Sequence, residues 1–383
     1  MEFAFTEEQQ AIFALVDELC AEEFAPRAEQ VDEAQAWPQE NVDLMAQSDL
    51  MGIPVPEEYG GMGLGFLDWA VVGEKLSAAC TTTGAIFGAH LLAVYPLMLF
   101  GTDEQKQKYL TPLARGEHIG AFGLTEPNAG SDAGNVQTRA ERKGDEYILN
   151  GSKIFITNAG EAQTYIIIAN VNPEAGMRGL TAFIVEKGFE GFEFGKNEKK
   201  MAYRSLPNRE LIFTDCRVPA ENVLYREKGG FRVAMQTLDV GRIGMAIGAV
   251  GLAQAAFDKA VAYSQTRVQF DRPICEFEMV QKMIADMATD IAAGRWLTYN
   301  AAWRKDQGLD FEQEAAMAKL FTSEMVGRVT DHAVQIHGGY GYCQEYGVER
   351  LFREAKLFEI VEGTSEIQRL VIANKVLKNA RKK

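Results

Sequence analysis

The sequence predicts an α+β protein, mainly α: an N-terminal helical domain over residues 1–117, a central β-barrel or sandwich domain over 118–226, and a C-terminal four-helix bundle over 227–383. Three observations predict this order. Apolar residues first recur at helical spacing. Near residue 119 the period changes to short β-rich runs separated by turn residues. After about residue 226, long helical stretches with few breakers return. A length of 383 residues, 47% apolar and 24% charged, suits a globular chain with a large core.

The first helix, in "FTEEQQAIFALVDELCAEEFAP", opens on a capping box of Thr6 with Gln9, and "GTDEQKQKYL" opens on another, Thr102 with Gln105. Between them, "PEEYGGMGLGF" has the glycines of a phosphate loop but neither GxGxxG spacing nor a preceding strand, so it reads as a turn. In "YILNGSKIFIT" the pair Asn150-Gly151, set between two β-rich runs, predicts a hairpin. "TYIIIANV", "GLTAFIVE" and "RELIFTDCRVP" follow as strands. Further on, Val250, Ala253, Phe257 and Val261 mark an apolar helical stripe, and "MVQKMIADMATDIAAGRW" continues in kind, its methionines reading as core.

A net charge of −15, from 39 basic and 54 acidic residues, argues against non-specific nucleic-acid binding but not against an anionic small ligand in a local basic pocket. Cys20, Cys80, Cys216, Cys275 and Cys343 form no CxxC pair, and the four histidines show no HxxxH spacing. Reduced thiols and no metal centre are expected. No apolar run is read as reaching the eighteen or so residues of a membrane span, and "MEFAFTEEQQ" lacks the basic and apolar regions of a secretory signal. A cytoplasmic protein is expected.

Five stretches have the residues for chemistry. "FGLTEPNAGSDAG" (122–134) ends a strand in a loop with Thr125, Ser131 and free amides, which suit a ligand carbonyl or phosphate; alone, such a loop is more often a polar turn. "FITN" (155–158) brings the Thr157 hydroxyl to a strand end. "TLDVGRIG" places Asp239 and Arg242 on one helix face, in isolation a local ion pair first. "QIHGGYGY" closes a helix with paired glycines, as fitting for a plain cap as for close approach of a ligand. "FEIVEGTSEIQRLVIA" sets the carboxylate of Glu362 between Val361 and Gly363, ahead of a helix that Ser365 and Gln368 would open as a capping box and whose inner face would carry Ile367, Leu370 and Val371.

Together, and in this order, "FGLTEPNAGSD", "NGSKIFITN", "GRIG", "QIHGGYGY" and "EGTSEIQ" resemble the acyl-CoA dehydrogenase family, over essentially the whole chain. The resemblance implies FAD held between the β-domain and the C-terminal bundle, with an acyl-CoA thioester against the flavin. It implies flavin contacts from Phe122, Gly123, Leu124, Thr125, Ser131, Phe155, Ile156, Thr157, Thr364, Ser365 and Glu366. Arg267 and the run Gln335, Ile336, His337, Gly338 and Gly339 would reach the FAD of a neighbouring subunit, so that at least a dimer, and commonly a homotetramer, is implied. Ser131, Asp239, Arg242 and Gly363 would contact the substrate. Glu362 would abstract the α-proton while the β-hydrogen leaves as hydride, and removing water around the carboxylate would raise its pKa. Electrons would pass to an electron-transfer flavoprotein. An oxygen-using oxidase on the same fold, a non-catalytic acyl-CoA or flavin-binding subunit and a helical scaffold are the alternatives.

The sequence also departs from the family pattern. Val361 stands in place of the usual tyrosine, which would widen the pocket for a branched or cyclic acyl group or be neutral drift. Phe155 replaces a frequent tryptophan, Glu278 a glutamine and Asp271 a glycine, and "KMAYRSLPNREL" carries Ala202, Leu206 and Asn208 at altered positions. Thr82 in place of an arginine disfavours a dicarboxylic substrate, and His90 is expected on a helix lining the acyl pocket.

Overall fold

The computed structural model describes residues 5–381, so the first four residues of "MEFAFTEEQQ" lie outside the description. Helices α1 (Glu7–Leu19) and α2 (Ala25–Ala34) run on through a π-helical turn at Cys20–Phe24. Thr6 caps α1 reciprocally: its Oγ1 accepts from Gln9 N–H at 3.2 Å, and its own N–H donates to Gln9 Oε1 at 2.8 Å. Helices α3 (Gln39–Gln47), α4 (Phe66–Ala79) and α5 (Thr81–Phe100) follow, then α6 (Asp103–Gln105), which opens on the second box at Thr102, and α7 (Thr111–Ala114). The "PEEYGGMGLGF" segment is a turn containing one 3-10 turn, Glu57–Tyr59.

Eight strands form the central sheet: β1 (Gly120–Gly123), β2 (Arg139–Lys143), β3 (Glu146–Thr157), β4 (Thr164–Asn170), β5 (Leu180–Glu186), β6 (Phe192–Asn197), β7 (Asn208–Pro219) and β8 (Val223–Leu224). The order is β6-β7-β3-β2-β4-β5-β8, with β1 parallel to β4. All of β4 is buried, which is why it reads as an unbroken apolar run.

Asn150-Gly151 is not a turn. β3 runs straight through it, and the hairpin lies earlier, at the two-residue loop Gly144-Asp145, where Gly144 takes φ 63°. Gly151 is needed for another reason: a Cβ on it would sit 2.7 Å from Thr138 Cα. Asn150 instead pins a bulge in β7, giving a 3.0 Å bond to Asp215 Oδ1 and accepting Asp215 N–H at 2.8 Å.

The C-terminal part contains α8 (Gly230–Thr266), a two-strand hairpin of β9 (Val268–Gln269) and β10 (Arg272–Pro273), α9 (Glu278–Asp306), α10 (Glu312–His337), α11 (Val348–Ala355) and α12 (Ser365–Ala380). α8 is the central post, packed by α4, α5, α9 and α10. Because neighbours surround it, its buried line runs through Val250, Ala253, Ala256 and Ala260, while Phe257 and Val261 are only half-buried. α5 and α8 are both long and apolar enough to cross a membrane, contrary to the sequence expectation; α5 carries no Asp, Glu, Lys or Arg. Most of each is buried inside the fold.

Candidate active site

Glu362 sits in the left-handed region at φ 55°, and Gly363 follows at φ 90°. Two successive residues of this kind make a sharp kink that Gly363 tolerates and Glu362 must be held in. The holding groups come from two helices. Lys319 of α10, wholly buried, donates from Nζ to the Gly363 carbonyl at 2.7 Å. Gln368 of α12 donates from Nε2 to the carbonyls of Glu362 at 3.0 Å and Gly363 at 2.9 Å. The expected capping box is therefore displaced: Thr364 caps α12 through Ile367 N–H at 3.3 Å, Ser365 is the first helical residue, and Gln368 turns to the kink. The inward face of α12 is accordingly Ser365 and Gln368, with Leu370 59% exposed.

The Glu362 carboxylate points at α8. A methyl on Gly241 would lie 2.5 Å from Glu362 Oε2 and 3.0 Å from Leu92 Cδ2 of α5, so glycine is what makes room for the acid. Oε2 is shut off from solvent and has no hydrogen-bond partner among the described residues. Burial pushes the Glu362 pKa up to about 7, while Lys319 and Arg242 draw it down. Next to Gly241, Arg242 donates from Nη1 to Asp239 Oδ1 at 2.5 Å, and burial lifts the Asp239 pKa to about 6 against the pull of Arg242. Glu362, Gly363 and Arg242 are thus brought together around Lys319, with Asp239 joined to them through Arg242.

On the β-domain, β3 carries one residue more than β7 between Lys153 and Ile156. This bulge throws Phe155 outward at φ 58°, leaving it 61% exposed between half-buried Ile154 and buried Ile156, with Thr157 half-buried beyond. The freed Ile154 N–H donates to Thr125 O at 2.9 Å, which ties the Phe122–Thr125 strand end to β3. Below it, the ion pair of Lys153 with Glu126 (2.6 Å) is buried. Glu126 also accepts Thr138 N–H at 3.0 Å and Gln137 N–H, and so closes the loop on which Thr125 is half-buried and Ser131 exposed.

A third group forms around a concavity of about 510 Å³, lined by Arg267, Ile336, His337, Gly338 and Gly339 with Tyr263 and Tyr340. His337 stacks on Tyr263 at 4.3 Å, and the Arg267 guanidinium lies over the Tyr340 ring at 5.5 Å. Added methyls on Gly338 and Gly339 would meet nothing within 4 Å, so these glycines border open space. Gln335 is exposed outside this lining, as is Glu366 at the start of α12. An outward-facing flat ring, an open glycine-bordered concavity with a cation, and buried partnerless atoms at Glu362 Oε2, Ser365 Oγ and Asn158 Oδ1 together fit a large ligand with a planar ring and phosphates.

His90 is a structural clip: Nε2 lies 3.1 Å from Leu113 O, and Gly120 N–H donates to Nδ1 at 3.1 Å. Burial lowers its pKa to about 4, so it is a neutral donor and acceptor. Thr82 is buried on α5. Asp271 and Phe270 form the β9-β10 turn, both at positive φ, so aspartate meets the demand usually met by glycine; Glu278 is exposed at the start of α9. Ala202 and Leu206 are buried, and Asn208 begins β7. Lys319, Gly241, the hold of Gln368 on the kink and the Lys153–Glu126 pair escaped the sequence reading. For Lys319 a signal was present, a lone cation among small residues in "AAMAKLF".

Three family models match the chain: acyl-CoA dehydrogenase N-terminal domain at residues 6–117, middle domain at 121–216 and C-terminal domain at 228–377. A short-chain specific acyl-CoA dehydrogenase of Clostridium acetobutylicum is 48% identical over 99% of this chain and 100% of its own length. A solved structure described as an electron transferring flavoprotein of Acidaminococcus fermentans contains a chain that is 49% identical, with a TM-score of 0.97 over 98% of this chain and 100% of that one. The butyryl-CoA dehydrogenase structure from Megasphaera elsdenii is 43% identical, with a TM-score of 0.96 over 98% and 100%. By fold, by these matches and by the carboxylate that α8 leaves room for, the chain belongs to the acyl-CoA dehydrogenase family of FAD enzymes.

Proposed function

We propose that the chain desaturates a short acyl-CoA between Cα and Cβ, with Glu362 as the base. The observation that carries this reading is the Glu362 Oε2 atom, dry, partnerless and directed across a glycine gap. A carboxylate whose pKa burial has brought to about 7 is a far better acceptor of a carbon-bound proton than one in water. Bound FAD supplies the acceptor for the β-hydride. Phe155, Ile156, Thr157 and the segment Phe122–Thr125 with Ser131 form the protein's wall for that cofactor, and Thr364, Ser365 and Glu366 its edge on α12. Arg242, backed by Asp239, offers a planar cation to the coenzyme A portion. The half-buried Val361 beside the base leaves space that a tyrosine would fill, so a branched or alicyclic acyl group fits as well as a linear one.

The names of the relatives support a short acyl chain, and the Acidaminococcus structure supports an electron-transfer flavoprotein as acceptor. Arg267, Gly338 and Gly339 face outward, where a second copy's cofactor would complete the site; this supports assembly of copies, which the reading takes to be a homotetramer, with the cytoplasm as its compartment. Anaerobic mixing with butyryl-CoA tests the reading. Glu362→Gln should keep its flavin spectrum yet lose substrate bleaching by about a thousandfold. Undiminished bleaching in that variant would remove Glu362 as the base, and rapid peroxide release by the unaltered enzyme would favour an oxidase.

A further inference from the structure

We propose that Lys319 is a positioning residue for the base: from α10 it grips the Gly363 carbonyl and, with Gln368, holds the left-handed Glu362–Gly363 kink so that the carboxylate faces Gly241. The inference rests on Glu362 being the base and goes beyond it by assigning what fixes that base.

The geometry is specific. A buried ammonium has three N–H donors and must use them. Lys319 lies in the small-residue face of α10 with Ala315, Ala316, Ala318, Thr322 and Ser323, all buried, where its 2.7 Å bond to Gly363 O is its anchor. Gln368 grips the same carbonyl from the other side, at 2.9 Å. With both carbonyls of the kink turned toward α10 and α12, the Glu362 side chain is left facing α8. Among the described residues no other side chain donates to either carbonyl of this kink, where a non-glycine residue is held at φ 55°.

The charge has its own consequence. The groups facing Glu362 are Lys319 from α10 and Arg242 from α8, while α5 contributes the apolar Leu92. Lys319 in turn feels Glu362 first, then Arg242, Glu359 and Glu366. Burial alone would carry the Glu362 carboxyl higher still; Lys319, with Arg242, draws it back down. Lys319 thus couples the shape of the kink to the fraction of active base.

The test is the pH dependence of flavin bleaching by butyryl-CoA in Lys319→Met, in the flavin-loaded enzyme. The expected result is a bleaching rate lower by about tenfold or more, with the acid limb moved to higher pH by about one pH unit. A merely structural lysine would lower stability without moving that limb. Flavin absorbance and a cooperative thermal transition establish folding. Should Lys319→Met not fold, Lys319→Gln, neutral but still an amide donor, gives the same readout. An acid limb and rate like those of the unaltered enzyme overturn the inference. If Glu362→Gln is inactive in the same assay, that failure leaves the role of Glu362 standing; if Glu362→Gln bleaches normally, both fall.

Discussion

Glu362 and Gly241 are a lock and its clearance. As the proposed base the acid must be dry and aimed, and the glycine on α8 is what lets it come so close. Gly241→Ala should favour the helix itself by about 1 kcal/mol, since alanine has the higher propensity. The added methyl would nevertheless displace Oε2, and a misplacement of about 1 Å costs roughly a hundredfold in rate. Thermal stability held or raised together with a bleaching rate down by about that factor is the expected pair of results; an unchanged rate would show that the carboxylate does not need this approach. Glu362 stood out by its place ahead of a helix, and its reading as the base came from the family resemblance. Gly241 was visible only as part of a motif, because no spacing rule reveals which side chain from more than a hundred residues away will fill the gap.

At the scale of elements, local signals worked where the partners were local. Both N-terminal capping boxes, each joining residues three apart, formed as expected. The third failed because tertiary demand overrode it: Gln368 had two carbonyls of the kink to satisfy, and Thr364 took over the cap. Asn150-Gly151 failed for a similar reason, since the bulge of β7 used the asparagine and Thr138 used the space beside the glycine. The Lys153–Glu126 pair was illegible because its members lie in different motifs and meet only when β3 passes beneath the loop. Burial lowers the Lys153 pKa to about 8, and Glu126 pulls it back up. Lys153→Met would strand the Glu126 carboxylate in the interior, so unfolding in urea should show a loss of about 3–5 kcal/mol. A loss well under 1 kcal/mol would mean that the pair contributes nothing to holding the loop.

For the whole molecule, His90 joins three elements, α5, α7 and β1, and so ties the helical front to the sheet. Its pKa, lowered to about 4 by burial from an ordinary 6.5, fixes the sign of its effect. Between those values the unfolded chain binds a proton that the folded chain refuses, so stability falls as pH drops from about 6.5 toward 4 and is unaffected by this group above that window. The stability advantage of the unaltered protein over His90→Gln should therefore shrink by up to about 3 kcal/mol across that range. An advantage constant with pH would mean that the ring is protonated in place. The glycines of α8 lead to a different lesson. Gly241, Gly244, Gly248 and Gly251 would bring methyls to within 2.5, 3.0, 3.0 and 2.3 Å of Glu362, Trp69, Phe358 and the Glu74 carbonyl. Anyone engineering heat resistance by swapping helical glycines for alanine, normally a safe recipe, would at Gly244, Gly248 and Gly251 be prying apart the post against which α4, α5, α9 and α10 pack.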